Sequence, residues 1–393
     1  MTPRLSTFVY PWDLARLGVG GTLEQIAAEG FGAVYLAATY HPVDAVSPRG
    51  GLLRLFSSGR GGVYFPARRE RYGRIQPSTS SPELGAVWPE ATAVARSLGL
   101  GVVPWTITLY QPWIVDEHPD CARVLPGGDR IDAGVCPAND DVREYVTALC
   151  DDLVDQFDVG TLHLEGAAVP TFDYGWLRPR LLIDLPNPAR ELLALCFCAS
   201  CQRRATSAGL DVERLRRLVN EAVAVEIGLE PASTTSDGST AIADAELQAF
   251  AELYVRASVE LIAAVGERVR GAGARLSGMP WTPFSTLLAR DDELLDEMLR
   301  PFDQVIVRPS ASDPRTSVAI ANRTARGLEL AVLVTPAELS AANATFGAPA
   351  VTTENRTTDT LRSAAEIGAA EIIVYNYGLL RDVDIQRLTK EQT

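Results

Sequence analysis

The chain has 393 residues, of which 47% are hydrophobic, and a formal net charge of −14. An apolar fraction of that size can bury a large core, and eight-fold α/β barrels routinely reach this length as one domain. The acidic balance and the lack of a basic block argue against nucleic acid and anionic membrane surfaces, which need clustered Lys and Arg. A neutral small molecule or oligosaccharide is the better partner. The stretch from Met1 to Phe8 shows no charged-then-apolar export signal, and no apolar run is long enough to span a bilayer, so a soluble, cytoplasmic protein is expected. Homo-oligomerisation is left open by the sequence.

In chain order, residues 6–10 (STFVY) read as a strand, and the apolar spacing of 22–29 behind Thr22 reads as a short capped helix. A second strand is expected at 33–37 (AVYLA). A Gly- and Arg-rich connection, 42–82, separates it from a helix over 88–98, and connections of that length are usually functional or without fixed structure. The third strand, 101–105 (GVVPW), leads to a helix over 142–157, and the fourth is 161–164 (TLHL). A helical insertion is expected at 192–272, with a polar stretch near 230–241 suited to a flexible loop. Strands recur at 275–278, 304–307, 328–334 and 372–375.

Eight short apolar strands alternating with helices predict a closed parallel (β/α)₈ TIM barrel in a single domain, 1–393. Strands covered on both faces read as continuous apolar runs, and these do. A doubly wound open sheet is the alternative. It is weakened by Tyr10-Pro11-Trp12-Asp13 after the first strand, where a dinucleotide fold carries a glycine-rich turn.

Cys196-Phe197-Cys198-Ala199-Ser200-Cys201 puts three thiols in one short turn, too close for ordinary disulfides and suited to thiolates wrapping a tetrahedral zinc ion. The competing reading is three buried free cysteines. Zinc needs a fourth ligand. Cys136 precedes the helix between the third and fourth strands and can approach the cluster; Cys121, Cys150 or a histidine are alternatives. Four thiolates close the coordination sphere, which makes such a zinc structural.

A C-x-C-x₂-C cluster after the fourth strand, with Cys136-Pro137 before the preceding helix, resembles the zinc pattern of the family 42 glycoside hydrolases, the β-galactosidase-like barrels of the clan A glycosidases. The resemblance covers residues 105–202. It implies Cys136, Cys196, Cys198 and Cys201 as zinc ligands, and Glu165, which closes the fourth strand, as the acid/base. Two positions depart from the family pattern. Leu164 precedes Glu165 where the family has an asparagine, and the family's nucleophilic glutamate at the end of the seventh strand has Glu338, beyond the strand end, as its counterpart.

Residues at the carboxyl ends of barrel strands converge on one mouth. Here they include Tyr110 and Tyr377 and nine residues expected to bind substrate: Trp12, Tyr40, His41, Trp105, His163, Trp281, Arg308, Tyr375 and Asn376. Aromatic faces stack on sugar rings while His, Asn and Arg bond hydroxyls, although each aromatic alone could equally be core. Glu165 is the sharpest catalytic candidate. A carboxyl directly after an apolar strand is costly to bury unless it is paired or kept protonated, and a protonated one suits a general acid. His163 shares its strand face. A glycosidase needs a second carboxylate, for which Asp13 and Glu338, and then Glu354, are available. The expected function is hydrolysis of a small glycoside. The alternatives are a lyase, isomerase or cyclase acting on a sugar-derived metabolite with Glu165 and His41 as acid and base, and a non-catalytic sugar-binding barrel.

Overall fold

A computed structural model describes residues 3–51, 53–79, 81–168, 172, 175, 180–229, 237–279, 292–307, 320–334 and 367–390. Eight parallel strands form a closed ring: β1 (Arg4–Val9), β2 (Ala33–Tyr40), β3 (Gly101–Ile107), β4 (Thr161–Glu165), β5 (Arg275–Gly278), β6 (Gln304–Val307), β7 (Glu329–Val334) and β8 (Glu371–Val374). Each pairs with the next, and β8 returns to β1 with Arg4 opposite Glu371 and Thr7 opposite Val374. This is the (β/α)₈ barrel that the apolar runs predict, and the open sheet is excluded by the closing β1–β8 pairing. β2 runs on past its expected end to Tyr40, because a short antiparallel strand, Gly62–Val63, gives Thr39 and Tyr40 an additional partner.

Helices cover the ring. Among them are α1 (Val19–Ala28), α2 (Val87–Leu98), α3 (Asp140–Phe157) and α4 (Ala245–Gly271). α3 shows how locally this is encoded: the Asn139 side chain accepts from the backbone N–H groups of Asp141 and Val142, and Val142, Val146, Leu149 and Leu153 then fall on the buried face. α4 packs along α3, with Arg143 reaching Glu260 at 3.0 Å and Arg268 reaching Asp151 at 2.6 Å, and it leads into β5. It therefore takes the place of a barrel helix, and the stretch expected as one insertion, 192–272, divides. The preceding helices Asn187–Leu193, Ala199–Ser207 and Val212–Glu226 are the added part. Of the polar stretch 230–241, residues 230–236 lie outside the described residues, while Gly238–Ile242 is helical.

The long connection after β2 is built, not loose. Asp44–Ser47 and Arg54–Ser57 form an antiparallel hairpin, fixed at the rim where half-buried Phe56 stacks on Trp12. Among the described residues, no helix is long and apolar enough to cross a membrane.

The lumen holds its own apolar layer, including Phe8, Val103, Ile306, Leu333 and Ile373, above a polar floor. On that floor the Glu371 carboxylate, 1% exposed, accepts from Ser6 Oγ, Arg4 Nε (3.1 Å), Tyr35 OH (3.1 Å) and Gln304 Nε2 (2.8 Å). Ser277 Oγ donates to Gln304 Oε1 at 3.0 Å, which leaves the hydroxyl to accept from His163 Nδ1–H at 3.2 Å. Burial pushes His163 down to about 3, so the imidazole is neutral. A buried carboxylate is tolerable only with this degree of satisfaction.

Candidate functional site

Five side chains, three in strand ends and two just after strands, meet at the carboxyl end of the ring. Tyr10 follows β1, Tyr40 ends β2, Trp105 stands near the end of β3, Glu165 ends β4 and Tyr375 follows β8. The phenols of Tyr10, Tyr40 and Tyr375 form a triangle with sides of 3.0, 2.6 and 3.0 Å. Each hydroxyl has one proton to give and two neighbours to satisfy. Burial raises the pKa of Tyr10 and of Tyr40 well above the ordinary phenol value, so both are neutral hydrogen-bonding groups. Tyr10 is fully buried and Tyr40 is 3% exposed, so in this structure the hydroxyls bond chiefly to one another.

Glu165 is half-buried beside this triangle. Trp105 Nε1–H donates to its Oε2 at 2.6 Å, and its backbone carbonyl accepts from Thr108 N (3.0 Å) and Thr108 Oγ1 (3.1 Å), which fixes the strand end. Trp105 itself is 1% exposed. Phe8 lies 4.4 Å away, Tyr10 stacks at 5.5 Å, and Tyr40 and Tyr375 meet it edge-on. Trp105, expected to bind substrate, is thus enclosed by other rings, with Tyr10 stacked on it.

Trp12 is in the same position. Phe56 lies 4.3 Å from one face (9° between planes) and Tyr10 4.3 Å from the other (19°), giving the ladder Phe56–Trp12–Tyr10–Trp105 from rim to lumen. Trp12, expected to bind substrate, is 5% exposed and stacked between these two rings. A second stack places His41 between Tyr40 (4.3 Å) and Tyr110 (4.8 Å). Burial lowers the pKa of His41, opposed by the 2.8 Å bond from its Nδ1 to the carbonyl of Pro42, so this imidazole is neutral as well.

Asp13 lies in the seam between the helix Pro11–Leu17 and the turn after β8, 3% exposed, with its carboxylate against Gly378 and 3.5 Å from Arg16 Nη2. Burial pushes it up to about 6, against the pull of Arg16 and Arg49. The hairpin locks this seam: Ser47 Oγ donates to the carbonyl of Gly378 (2.7 Å), and Arg49 donates to that of Tyr377 (2.8 Å) while lying 3.7 Å over its ring. Asn376 is buried, and its Oδ1 caps the same turn by accepting from Gly378 N at 3.0 Å. His163 belongs to the floor. Trp281, Arg308, Glu338 and Glu354 lie outside the described residues. Sequence reasoning missed Tyr10, which its place directly after β1 could have signalled, and Phe56, which nothing in the sequence marks.

Away from the mouth, the sulfurs of Cys136, Cys196, Cys198 and Cys201 all lie within 4.8 Å of one another and are buried. Cys136 is 3.5 Å from Cys201 and 3.8 Å from Cys196. Ligands about 2.3 Å from a tetrahedral zinc stand about 3.8 Å apart, whereas a disulfide needs about 2.05 Å, so this donor set fits the metal. Cys121 and Cys150 are not part of the group. Burial raises Cys196, but hydrogen bonding from the other three thiols and the nearby Arg123 guanidinium outweigh it and hold the group well below the usual thiol range.

Neither a family model nor a curated protein sequence matches the chain. Solved structures do. An α-L-fucosidase isoenzyme 2 from Paenibacillus thiaminolyticus superimposes with a TM-score of 0.57 at 11% identity, covering 100% of this chain and 49% of that one. A β-galactosidase from the psychrophilic Marinomonas ef1 gives 0.55 at 11% identity, covering 99% and 59%. The chain thus spans about half the length of the proteins it is similar to, and the likeness is one of fold: a glycosidase-like eight-stranded parallel barrel.

Proposed function

We propose that the chain is a glycoside hydrolase of the family 42 type, cleaving a small neutral glycoside with Glu165 as general acid/base. The observation that carries this is the placement of Glu165 at the carboxyl end of β4, hydrogen-bonded by Trp105 and bordered by a triangle of phenols. A glycosidic oxygen leaves readily only when protonated, and a carboxyl at this position can deliver that proton. Neutral phenols recognise sugar hydroxyls without attracting ions. The second carboxylate is sought in Glu338 or Glu354, since Asp13 is buried in the seam against Gly378. Glu165→Gln should cut turnover of glycosides with poor leaving groups by about 10² to 10⁴, and of activated ones by less, with thermal stability unchanged. Full activity in this variant overturns the reading.

One observation favours a second reading, a lyase, isomerase or cyclase on a sugar-derived metabolite. His41, neutral and stacked on Tyr40, is a base within the same aromatic wall. An equal loss for both kinds of glycoside in Glu165→Gln supports it.

We further propose that Cys136, Cys196, Cys198 and Cys201 hold one structural zinc in a protein of the reducing cytoplasm, where thiolates stay free for metal. The metal would tie the inserted helices to the stretch preceding α3 and would take no part in the reaction. Chelator-free protein should carry about one zinc per chain, and Cys198→Ser should lose it and melt at lower temperature. Metal-free protein from such a preparation sinks the assignment.

A further inference from the structure

The enclosed indole beneath the mouth has a role other than packing. We infer that Trp105 is a positioning residue that holds Glu165 in one orientation and favours its ionised form in the resting protein. The inference rests on the acid/base reading of Glu165 and names what regulates that group.

An indole N–H can donate a hydrogen bond and cannot accept one. At 2.6 Å from Oε2 it therefore stabilises a carboxylate more than a carboxylic acid. The donor is confined, because Tyr10 stacks on the ring, Phe8 packs against it at a tilt, and Tyr40 and Tyr375 stand roughly perpendicular to it. Register adds to this. Trp105 pairs with His163 and Ile107 pairs with Glu165, so the indole reaches diagonally up the sheet to the carboxylate two residues above its own partner.

Among the described residues, the titratable groups placed around this carboxylate are uncharged or a step removed. From β1 and β2 come the Tyr10 and Tyr40 phenols, raised by burial, and Tyr40 is raised further by the charge of Glu165 itself. From the turn after β8 comes the Tyr375 phenol. His163 on its own strand and His41 behind Tyr40 are neutral. Asp13 lies beyond Tyr10. None of these described groups supplies a positive charge, and the indole N–H is the donor whose effect on the proton of Glu165 is tested below.

The test replaces the N–H without replacing the ring. Benzothienylalanine incorporated at position 105 is isosteric with tryptophan and lacks the donor; Trp105→Phe is the second variant. In each, Glu165 is titrated by carbon NMR of labelled glutamate carboxyls, its signal assigned by its disappearance in Glu165→Gln, alongside the pH profile of kcat/KM on a glycoside. The expected result is a midpoint moved to higher pH by roughly one unit, with the matching limb of the profile moving by the same amount. A packing role alone would leave the midpoint where it is. An unmoved midpoint in the isosteric protein overturns the inference even if Glu165→Gln is inactive. A moved midpoint in a protein whose Glu165→Gln variant keeps full activity upholds the effect of Trp105 and removes the acid/base reading instead.

Discussion

The lumen of this barrel carries a buried or half-buried glutamate at each end, and the two are supported in different ways. On the floor, Glu371 accepts from four different side chains, Arg4, Ser6, Tyr35 and Gln304, and is almost wholly enclosed. At the mouth, Glu165 is only partly buried and accepts a side-chain hydrogen bond from Trp105. A carboxylate surrounded by donors on every side is a structural anchor; one left partly open beside neutral phenols is available to a ligand.

Exchanging each glutamate breaks the comparison most sharply. Glu371→Ala leaves Ser6, Tyr35 and Gln304 with buried, unmatched polar groups and should cost on the order of 3 kcal/mol, read as a lower urea midpoint. Glu165→Gln should leave that midpoint in place while removing turnover. If both variants lose the same stability, the two ends are not different in kind.

A pH series sharpens the contrast further. Burial holds His163 at about 3, so below an unfolded histidine value of about 6.5 the unfolded chain binds a proton that the folded chain refuses. Stability from this group is therefore present above that value and falls away as pH drops towards 3. Asp13 runs the other way. Raised to about 6 against an unfolded value of about 3.9, it keeps a proton that the unfolded chain has already lost, so its contribution is full below about 4 and is lost as pH rises through 6. His163→Asn should flatten the acid limb of stability against pH, and Asp13→Asn should steepen it and add on the order of 1 kcal/mol at pH 7. Unfolding midpoints measured at successive pH values give both slopes, and a limb unchanged by either substitution counts against the burial argument for that residue.

The sequence disclosed the ring more fully than the mouth. Runs such as 33–37 and 305–307 are apolar because helices and lumen cover both faces, and the eight runs are visible one by one. Glu165 was legible for the same reason, as the first charge after such a run. The phenol triangle was not, because Tyr10 and Tyr375 meet only through the β1–β8 closure, which no local pattern reports. The enclosure of Trp12 and Trp105 was not legible either, because a sequence shows that a ring stands at a strand end but not whether other rings already cover it. The cysteines needed no fold to be grouped: their spacing is short-range information, apart from Cys136, which the chain brings in from 60 residues away.

Gly378 carries a consequence for how this barrel can change over evolutionary time. A Cβ built there would lie 1.8 Å from Asp13 Oδ2, while the backbone itself is of an ordinary kind open to any residue. The three atoms nearest to such a Cβ all belong to Asp13. Positions 13 and 378 are therefore epistatic: alanine at 378 becomes accessible only in a background where residue 13 is shorter. Arg16, Ser47 and Arg49, which converge on the same seam, restrict which intermediates along that route keep the rim of the mouth intact.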